Sequence, residues 1–490
     1  MHQPLRLALA TATAAALTGG LLTFSAVTAT AADSTLVPQA DFNGDGIGDV
    51  AFSAPGAYVN GKKNAGQVVV LYGSASGVSS AKRSTISQNT TGVPGTAETG
   101  DFFGNDTAYA DFNGDGYDDL AVGAWGEDVG SDTDGGGVTI LWGSASGLTG
   151  KGSTVTDPAP TSHDYWGETL AAGDFDGDGK ADLAVSSSTA TIHVFKGGFT
   201  TSGTAGGRYT IKPAIQGSGG NGPLNLTAGD INGDHRTDLV VDGYETQTDW
   251  GWNRNYYIPG TSTGLSVASA KALKPGIITA IGDINGDGYG DIVSGAYWNT
   301  TTSDGTTIPD SAKGGKVWVT YGSSGGPGTV TGITQDTGNV PGTSENNDWF
   351  GYELDLGDVN GDGYLDLAVG VAGENIGSAA NTGAVTVLYG TANGLNTASG
   401  GQSFAQSTAG VPGTDEDDDK FGLDVKLDDV TGDGRADLTV GSAENANDGA
   451  VTYLPSDGTR ITTAGSRAIS PGTAGVSTTG TPYFGCNFAD

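Results

Sequence analysis

Cysteine occurs once in the 490 residues, as Cys486, and methionine once, at the start. A single thiol forms no disulfide within the chain, so packing and bound ions must hold whatever fold it adopts. Basic residues are also scarce, 21 Lys and Arg against 56 Asp and Glu, for a formal net charge of −35. That imbalance argues against nucleic acid and anionic membrane as partners, because both attract cationic surfaces. Histidine is limited to four positions. His2 lies in an N-terminal apolar segment, His235 in an acidic loop, His193 inside an alternating strand pattern and His163 near the start of a repeat unit. None pairs with a recurring Ser or Cys, as nucleophilic hydrolysis requires. Gly260-Thr-Ser262-Thr-Gly264 matches a nucleophile elbow by letter, yet it stands where other units carry Gly-Ser-Ala-Ser-Gly, so it reads as a shared turn. The chain is therefore expected not to be an enzyme. Helical periodicity is missing as well, and beyond the N-terminal segment no apolar run is long enough to cross a bilayer.

The first residues form a separate object. Arg6 precedes an Ala/Leu-rich stretch from Leu7 to Leu22, and Ala29-Thr-Ala31 offers small residues for cleavage. Residues 1–31 read as a secretory signal peptide, leaving 32–490 as the mature domain and placing the protein outside the cell. An uncleaved membrane anchor is the alternative.

What the chain has in abundance is glycine, 86 residues, and a nine-residue acidic loop repeated seven times. The loops open at Asp41, Asp111, Asp174, Asp230, Asp283, Asp358 and Asp429, and carboxylates hold the first, fifth and ninth positions throughout. A hard divalent cation takes six to eight oxygens. The side-chain candidates are Asp41, Asn43, Asp45 and Asp49; Asp111, Asn113, Asp115 and Asp119; Asp174, Asp176, Asp178 and Asp182. They continue with Asp230, Asn232, Asp234 and Asp238; Asp283, Asn285, Asp287 and Asp291; Asp358, Asn360, Asp362 and Asp366; and Asp429, Thr431, Asp433 and Asp437. The seventh position adds a backbone carbonyl, from Ile47, Tyr117, Lys180, Arg236, Tyr289, Tyr364 and Arg435. Glycines at the fourth and sixth positions let the chain turn tightly. A plain hairpin turn would need no acids at both ends of the span.

The opening looks like an EF-hand, which requires a bidentate Glu at position twelve. Here that position holds Phe52, Val122, Val185, Val241, Ser294, Val369 and Val440, so the EF-hand is excluded. Oxygen-only donors favour calcium over zinc or copper, and magnesium prefers to keep its own water. The Asp174 loop is the richest through Asp176. The Asp230 loop, with His235 in place of the second glycine, and the Asp429 loop, with Thr431, are expected to bind most weakly.

Successive loops begin 70, 63, 56, 53, 75 and 71 residues apart. Each unit reads as a short strand, the acidic loop, an apolar strand, a third strand ending in a turn such as Val-Val-Val-Leu-Tyr72-Gly-Ser, and a variable fourth. Four antiparallel strands per unit make a propeller blade, and radial repetition hides the sheet edges. The fold class is thus all-β, a seven-bladed propeller; a linear solenoid is the runner-up and would need capping units. The lead-in Val340-Pro-Gly-Thr…Asp348-Trp-Phe350-Gly351 recurs before several loops but not before the first. Its counterpart, Gly475-Val-Ser-Thr…Tyr483-Phe484-Gly485, comes last, so the C-terminal segment is expected to complete the first blade and close the ring.

Phe-Gly, then the acidic loop, then segments such as Ser53-Ala54-Pro55 and Gly123-Ala124-Trp125 resemble the FG-GAP repeat of integrin α-subunit propellers and of secreted bacterial FG-GAP/VCBS proteins. The Phe-Gly is absent before the loops at Asp230 and Asp283, and at one unit it is Trp166-Gly167. The resemblance implies seven blades, calcium in the loops between first and second strands, and a role in adhesion or ligand binding.

If the acidic loops join strands one and two, the two-to-three connections and blade linkers share the opposite face. That face collects aromatics, and Trp250, Trp252, Tyr256 and Tyr257 are the candidate ligand contacts. Filling gaps between blades is the competing role for such rings. The expected function is a secreted, monomeric, calcium-binding module that engages an extracellular protein or glycan without catalysis. A lectin of the same architecture is the alternative, and an extracellular hydrolase the third.

Overall fold

The computed structural model describes residues 37–217, 222–248, 251–444 and 448–489; the candidate signal peptide lies outside them. Strands gather into seven four-stranded antiparallel sheets arranged as the blades of a propeller. The second blade shows the pattern. Its inner strand Thr107–Ala110 runs into the acidic loop, Asp119–Ala124 returns beside it, and Gly137–Leu141 and Gly152–Thr154 follow outward. The inner strands of the third to seventh blades are Leu170–Gly173, Asn225–Gly229, Ile278–Gly282, Phe350–Gly357 and Asp424–Asp428.

The first blade takes its inner strand, Cys486–Phe488, from the far end of the chain; it pairs with Val50–Ala54. Ala489 N–H donates to Ala51 O at 3.0 Å, and Asp49 N–H donates to Ala40 O at 2.7 Å. The two ends of the chain thus share one strand position, and the ring is closed as the sequence implies.

Both faces of each blade are covered, which explains the unbroken apolar runs. Successive strand residues point to opposite faces. Along Gln67–Leu71, Val68 and Val70 pack with Leu120 and Val122 of the second blade, whereas Val69 and Leu71 pack with Val451 and Tyr453 of the seventh. Alternation of polar and apolar residues therefore disappears.

The Phe-Gly pair locks neighbouring blades. Phe103 is 1% exposed, and its N–H donates to Ala65 O at 3.1 Å. A Cβ on Gly66 would lie 2.2 Å from Phe103 O, so only glycine fits there. The same bridge joins Gly136 to Trp166, Gly315 to Phe350, Gly383 to Phe421 and Gly449 to Phe484. The fourth and fifth blades, which lack the pair, are nonetheless complete four-stranded sheets. Among the described residues no helix is long and apolar enough to cross a membrane.

Candidate metal centres

Each acidic loop enters the second strand of its blade, leaving the inner strand directly in blades two to seven, and the carboxylates at its first, fifth and ninth positions do different jobs. In the first loop Asp41 Oδ1 accepts from Gly44 N–H (2.7 Å) and Asp45 N–H (3.1 Å), and Oδ2 accepts from Gly46 N–H (2.8 Å). The same three contacts recur at Asp111, Asp174, Asp230, Asp358 and Asp429. Asp283 accepts from Asp287 N–H at 3.1 Å and Gly288 N–H at 2.7 Å. Wrapping the chain around one carboxylate requires positive φ, which Gly44 (68°) and Gly46 (79°) supply. His235, in the place of the second glycine, also adopts φ 63°, so the turn survives with a non-glycine in a left-handed backbone.

The fifth-position carboxylates fold back on the seventh residue: Asp45 Oδ1 accepts from Ile47 N–H at 3.1 Å. Asp115, Asp178, Asp234, Asp287, Asp362 and Asp433 do the same to Tyr117, Lys180, Arg236, Tyr289, Tyr364 and Arg435. Three basic residues at position seven reach their own fifth-position acid: Arg236–Asp234 at 3.2 Å, Lys180–Asp178 at 3.8 Å and Arg435–Asp433 at 3.8 Å.

The ninth-position carboxylates are buried. Asp49 Oδ2 accepts from Phe42 N–H at 3.0 Å, and Oδ1 from Gly73 N–H at 2.9 Å, in the turn between third and fourth strands. Asp119, Asp182, Asp238, Asp291 and Asp366 are held likewise. Asp437 accepts from Ser456 N–H at 2.8 Å. Burial pushes Asp49, Asp119 and Asp366 up to about 8, and Asp182, Asp238, Asp291 and Asp437 up to about 7. Neighbouring loop carboxylates add to the rise. A cation is what such carboxylates need in order to stay ionised.

Position three completes the cage unevenly. The Asn43 amide sits 3.3 Å from both oxygens of Asp49, and Asn113 and Asn232 face Asp119 and Asp238 similarly. Asn285 and Asn360 instead accept from Asp287 and Asp362 N–H. Thr431 Oγ1 donates to Asp429 Oδ1 at 3.3 Å. Among the described residues, Asp174, Asp176 and Asp182 form a group of three carboxylates with oxygens within 4.8 Å of one another. In that richest loop Lys196 Nζ stands 2.7 Å from Asp176 Oδ2, a built-in competitor that the sequence did not reveal. The donor set is oxygen throughout, which suits a hard cation.

The opposite face corrects the aromatic candidates. Tyr256 and Tyr257 are 5% and 3% exposed and belong to the core, not to a binding surface. They are successive residues of Asn253–Ile258, so one packs with Phe175 and Ile192 of the third blade and the other with Ile292 of the fifth. Trp252 is half-buried, its N–H on Glu245 Oε1 at 3.3 Å, and Trp250 lies outside the described residues. Rings do gather on this face, Phe102 and Trp125 with Tyr165 at one junction and Tyr297, Trp349 and Tyr352 at another. Trp349 stacks on Tyr352 at 5.5 Å, and Tyr297 lies 5.0 Å from Tyr352. Tyr297 and Tyr352 line a cavity of about 250 Å³ with Glu353 and Asp424. It lies where the inner strands begin, at the end of the ring axis remote from the acidic loops. Trp349 and Tyr352 are the contacts that sequence reasoning missed; their place on either side of Phe350-Gly351 was the available signal.

Comparison with known proteins bears on the repeats. The FG-GAP repeat model matches residues 37–71, 166–206, 275–320 and 350–388, and an FG-GAP-like repeat model matches 111–185. Phosphatidylinositol-glycan-specific phospholipase D of Mus musculus is 36% identical over 152 residues, 31% of this chain and 18% of that protein. The Homo sapiens protein is 35% identical over 151 residues, again 18% of its length. The chain thus spans under a fifth of the curated relatives it matches. Among solved structures, an AofleA mutant from Arthrobotrys oligospora has a TM-score of 0.37 at 13% identity, covering 78% of this chain and 93% of that one. The exotype rhamnogalacturonan lyase YesX has a TM-score of 0.40 at 14% identity, covering 88% of this chain and 71% of that one.

Proposed function

This chain is an FG-GAP repeat protein folded as a seven-bladed propeller, and from that premise we propose that it is a secreted, calcium-stabilised, non-catalytic binding module. Its partner is an extracellular protein or glycan, engaged on the face away from the acidic loops. The observation that carries the reading is the stacked Trp349–Tyr352 pair beside Tyr297, with Tyr297 and Tyr352 lining a cavity of about 250 Å³. Rings with few rotatable bonds give much contact area for little lost entropy, and Glu353 and Asp424 add polar groups that fix orientation.

Calcium would be held by the side chains at positions one, three, five and nine, with the seventh-position carbonyls of Ile47, Tyr117, Lys180, Arg236, Tyr289, Tyr364 and Arg435. When bound it would neutralise crowded carboxylates and stiffen the loop face. The chain prepares for this itself: N–H groups orient the first carboxylate, and the third-to-fourth-strand turn orients the ninth.

A non-catalytic role accords with Cys486, whose thiol burial pushes up to about 12. His163 and His193 are likewise buried, packed around Trp166. A lectin is the second reading, favoured by half-buried stacked rings of the kind on which a sugar ring can pack. Hydrolysis rests only on the phospholipase relatives, of which this chain covers 18%.

Secretion is checked by N-terminal sequencing of exported protein, expected to begin at Ala32. Binding is checked with Tyr352→Ala and Trp349→Ala proteins of native melting temperature, applied to a glycan array and to extracellular-matrix protein. Loss of capture by about tenfold or more supports the reading, and the arm that loses it names the partner class. Undiminished binding by both variants removes this face as the contact surface.

A further inference from the structure

Three blade junctions carry a second set of oxygen clusters, unrelated to the acidic loops and on the opposite face. Each joins a glutamine that follows the outer strand of one blade, an aspartate in the linker, and a glutamate after the second strand of the next blade. The trios are Gln88, Asp101, Glu127; Gln335, Asp348, Glu374; and Gln406, Asp419, Glu444: the glutamine bonds the glutamate directly, and the aspartate and glutamate lie close enough for the charge of one to act on the other. The aspartate follows the glutamine by 13 residues every time.

The bonding repeats as closely as the spacing. Gln88 Nε2 donates to Glu127 at 2.5 Å, Gln335 Nε2 to Glu374 at 2.8 Å and Gln406 Nε2 to Glu444 at 2.7 Å. One oxygen of each aspartate accepts the N–H three residues before it: Glu98 to Asp101, Glu345 to Asp348, Glu416 to Asp419. The glutamines are 6%, 4% and 4% exposed and the aspartates 2%, 1% and 0%. With the amide N–H spent on the glutamate, Oε1 of all three glutamines is buried without a partner, and so are Oδ1 of Asp348 and Oδ1 of Asp419.

A buried acceptor without a partner forfeits the hydration it had in the unfolded chain, at a cost to stability. Repeating that cost at three junctions, in one arrangement, calls for something that accepts oxygen lone pairs. Burial raises Glu127 and Glu374 most, and Asp101 with Glu98, and Asp348 with Glu345, add to the rise, so these acids feel one another's charge. The pull of Lys62 on Asp101 and of Lys313 on Asp348 is outweighed by burial. A shared proton would satisfy one oxygen pair and leave the glutamine oxygen unmet. A hard cation takes several oxygens at once.

We propose that the junctions between blades one and two, five and six, and six and seven each hold a divalent cation, calcium by donor hardness. The ion sits among the glutamine oxygen, the aspartate and the glutamate, and clamps one blade to the next. These centres go beyond the acidic loops and do not depend on the loops being filled.

The test counts ions on the full chain after EDTA stripping and dialysis into calcium, by native mass spectrometry. Asp348→Asn combined with Glu374→Gln is expected to lose one calcium relative to the unmodified chain. Asp358→Asn combined with Asp366→Asn, in the acidic loop of the same blade, should lose a different one, and the losses should add. Terbium luminescence excited through tryptophan should also fall in the first variant, because Trp349 adjoins Asp348. An unchanged count with an unchanged luminescence overturns the junction centres while leaving the loop centres standing. Should the double variant not fold, Gln335→Glu decides: a cation centre gains affinity by roughly tenfold on adding a carboxylate. No gain in affinity, with a lower melting temperature at neutral pH, overturns the proposal.

Discussion

Asp366 Oδ1 accepts a hydrogen bond from Gly390 N–H at 2.8 Å, across 24 residues of chain. The bond ties the acidic loop to the turn between third and fourth strands, so that whatever fills the loop stiffens the whole end of the blade. The counterparts Asp49–Gly73 and Asp119–Gly143, at 2.9 and 2.8 Å, extend the arrangement around the ring.

Asp366→Asn should therefore separate the ion's contribution from that of packing. In calcium the variant loses a charged ligand and one strong acceptor, and unfolding free energy is expected to fall by roughly 1–3 kcal/mol. In EDTA the comparison changes. Burial holds the wild-type carboxyl up to about 8, so at neutral pH the native group is largely protonated and an amide replaces it at little cost. Urea unfolding with and without chelator reads both. For the unmodified chain, calcium at ten times Kd adds about 1.4 kcal/mol per filled loop, so EDTA should lower the melting temperature steeply. A melting temperature indifferent to EDTA would remove calcium from the account.

Ring closure predicts a cost at the last strand. Phe488 is 5% exposed and its ring lies 5.7 Å from that of Phe52, which also meets Phe484 at 4.9 Å. Phe488→Ala should cost about 3–5 kcal/mol, as large-to-small changes in a packed core do. Removing residues 476–490 should cost more, since Val50–Ala54 then loses its inner neighbour. Thermal unfolding measures both, and an unaltered transition in the truncated chain would mean that the ring stands without its last strand.

The ring could be read from the sequence because the acidic loops repeat and because the missing lead-in of the first unit reappears at Tyr483-Phe484-Gly485. The surface could not be read so directly. Tyr256 and Tyr257 look like a ligand pair by composition. A blade, however, is covered on both faces, so neighbours along one strand are buried against different blades. The same two-sided burial erased the alternation that would have marked inward positions. Lys196 escaped notice for another reason: it is 20 residues from Asp176, and only strand pairing brings them to 2.7 Å.

Glu168 should make stability depend on pH. Its Oε2 is buried without a hydrogen-bond partner, and burial pushes the carboxyl up to about 7 from an ordinary 4.5. A carboxyl whose pKa is higher folded than unfolded binds its proton more tightly when native. Its stability contribution is complete below pH 4.5 and is lost as pH climbs through 7. Glu168→Gln is expected to be near neutral at pH 4.5 and to stabilise the protein at pH 8 by roughly 1–2 kcal/mol, after allowing for solvent screening. Denaturation at the two pH values checks the sign, and a variant less stable at pH 8 would contradict it.

His235 allows the cost of one backbone angle to be measured. Gly46, Gly116, Gly179, Gly288, Gly363 and Gly434 hold the same loop position, and a Cβ on any of them meets nothing within 4 Å. Side-chain crowding is therefore not at issue, and the cost of His235 at φ 63° is that of a left-handed backbone alone. That cost is about 1–2 kcal/mol for a non-glycine residue. Glycine gives part of it back by enlarging the unfolded ensemble, by roughly 0.4–1 kcal/mol. The balance should leave His235→Gly more stable by roughly 0.5–1 kcal/mol, and Gly434→His, which imposes the same angle on the seventh blade, less stable by a similar amount. Opposite shifts of the urea midpoint at fixed calcium are the expected result. Equal shifts of the same sign would show that the imidazole, not the backbone, governs this loop.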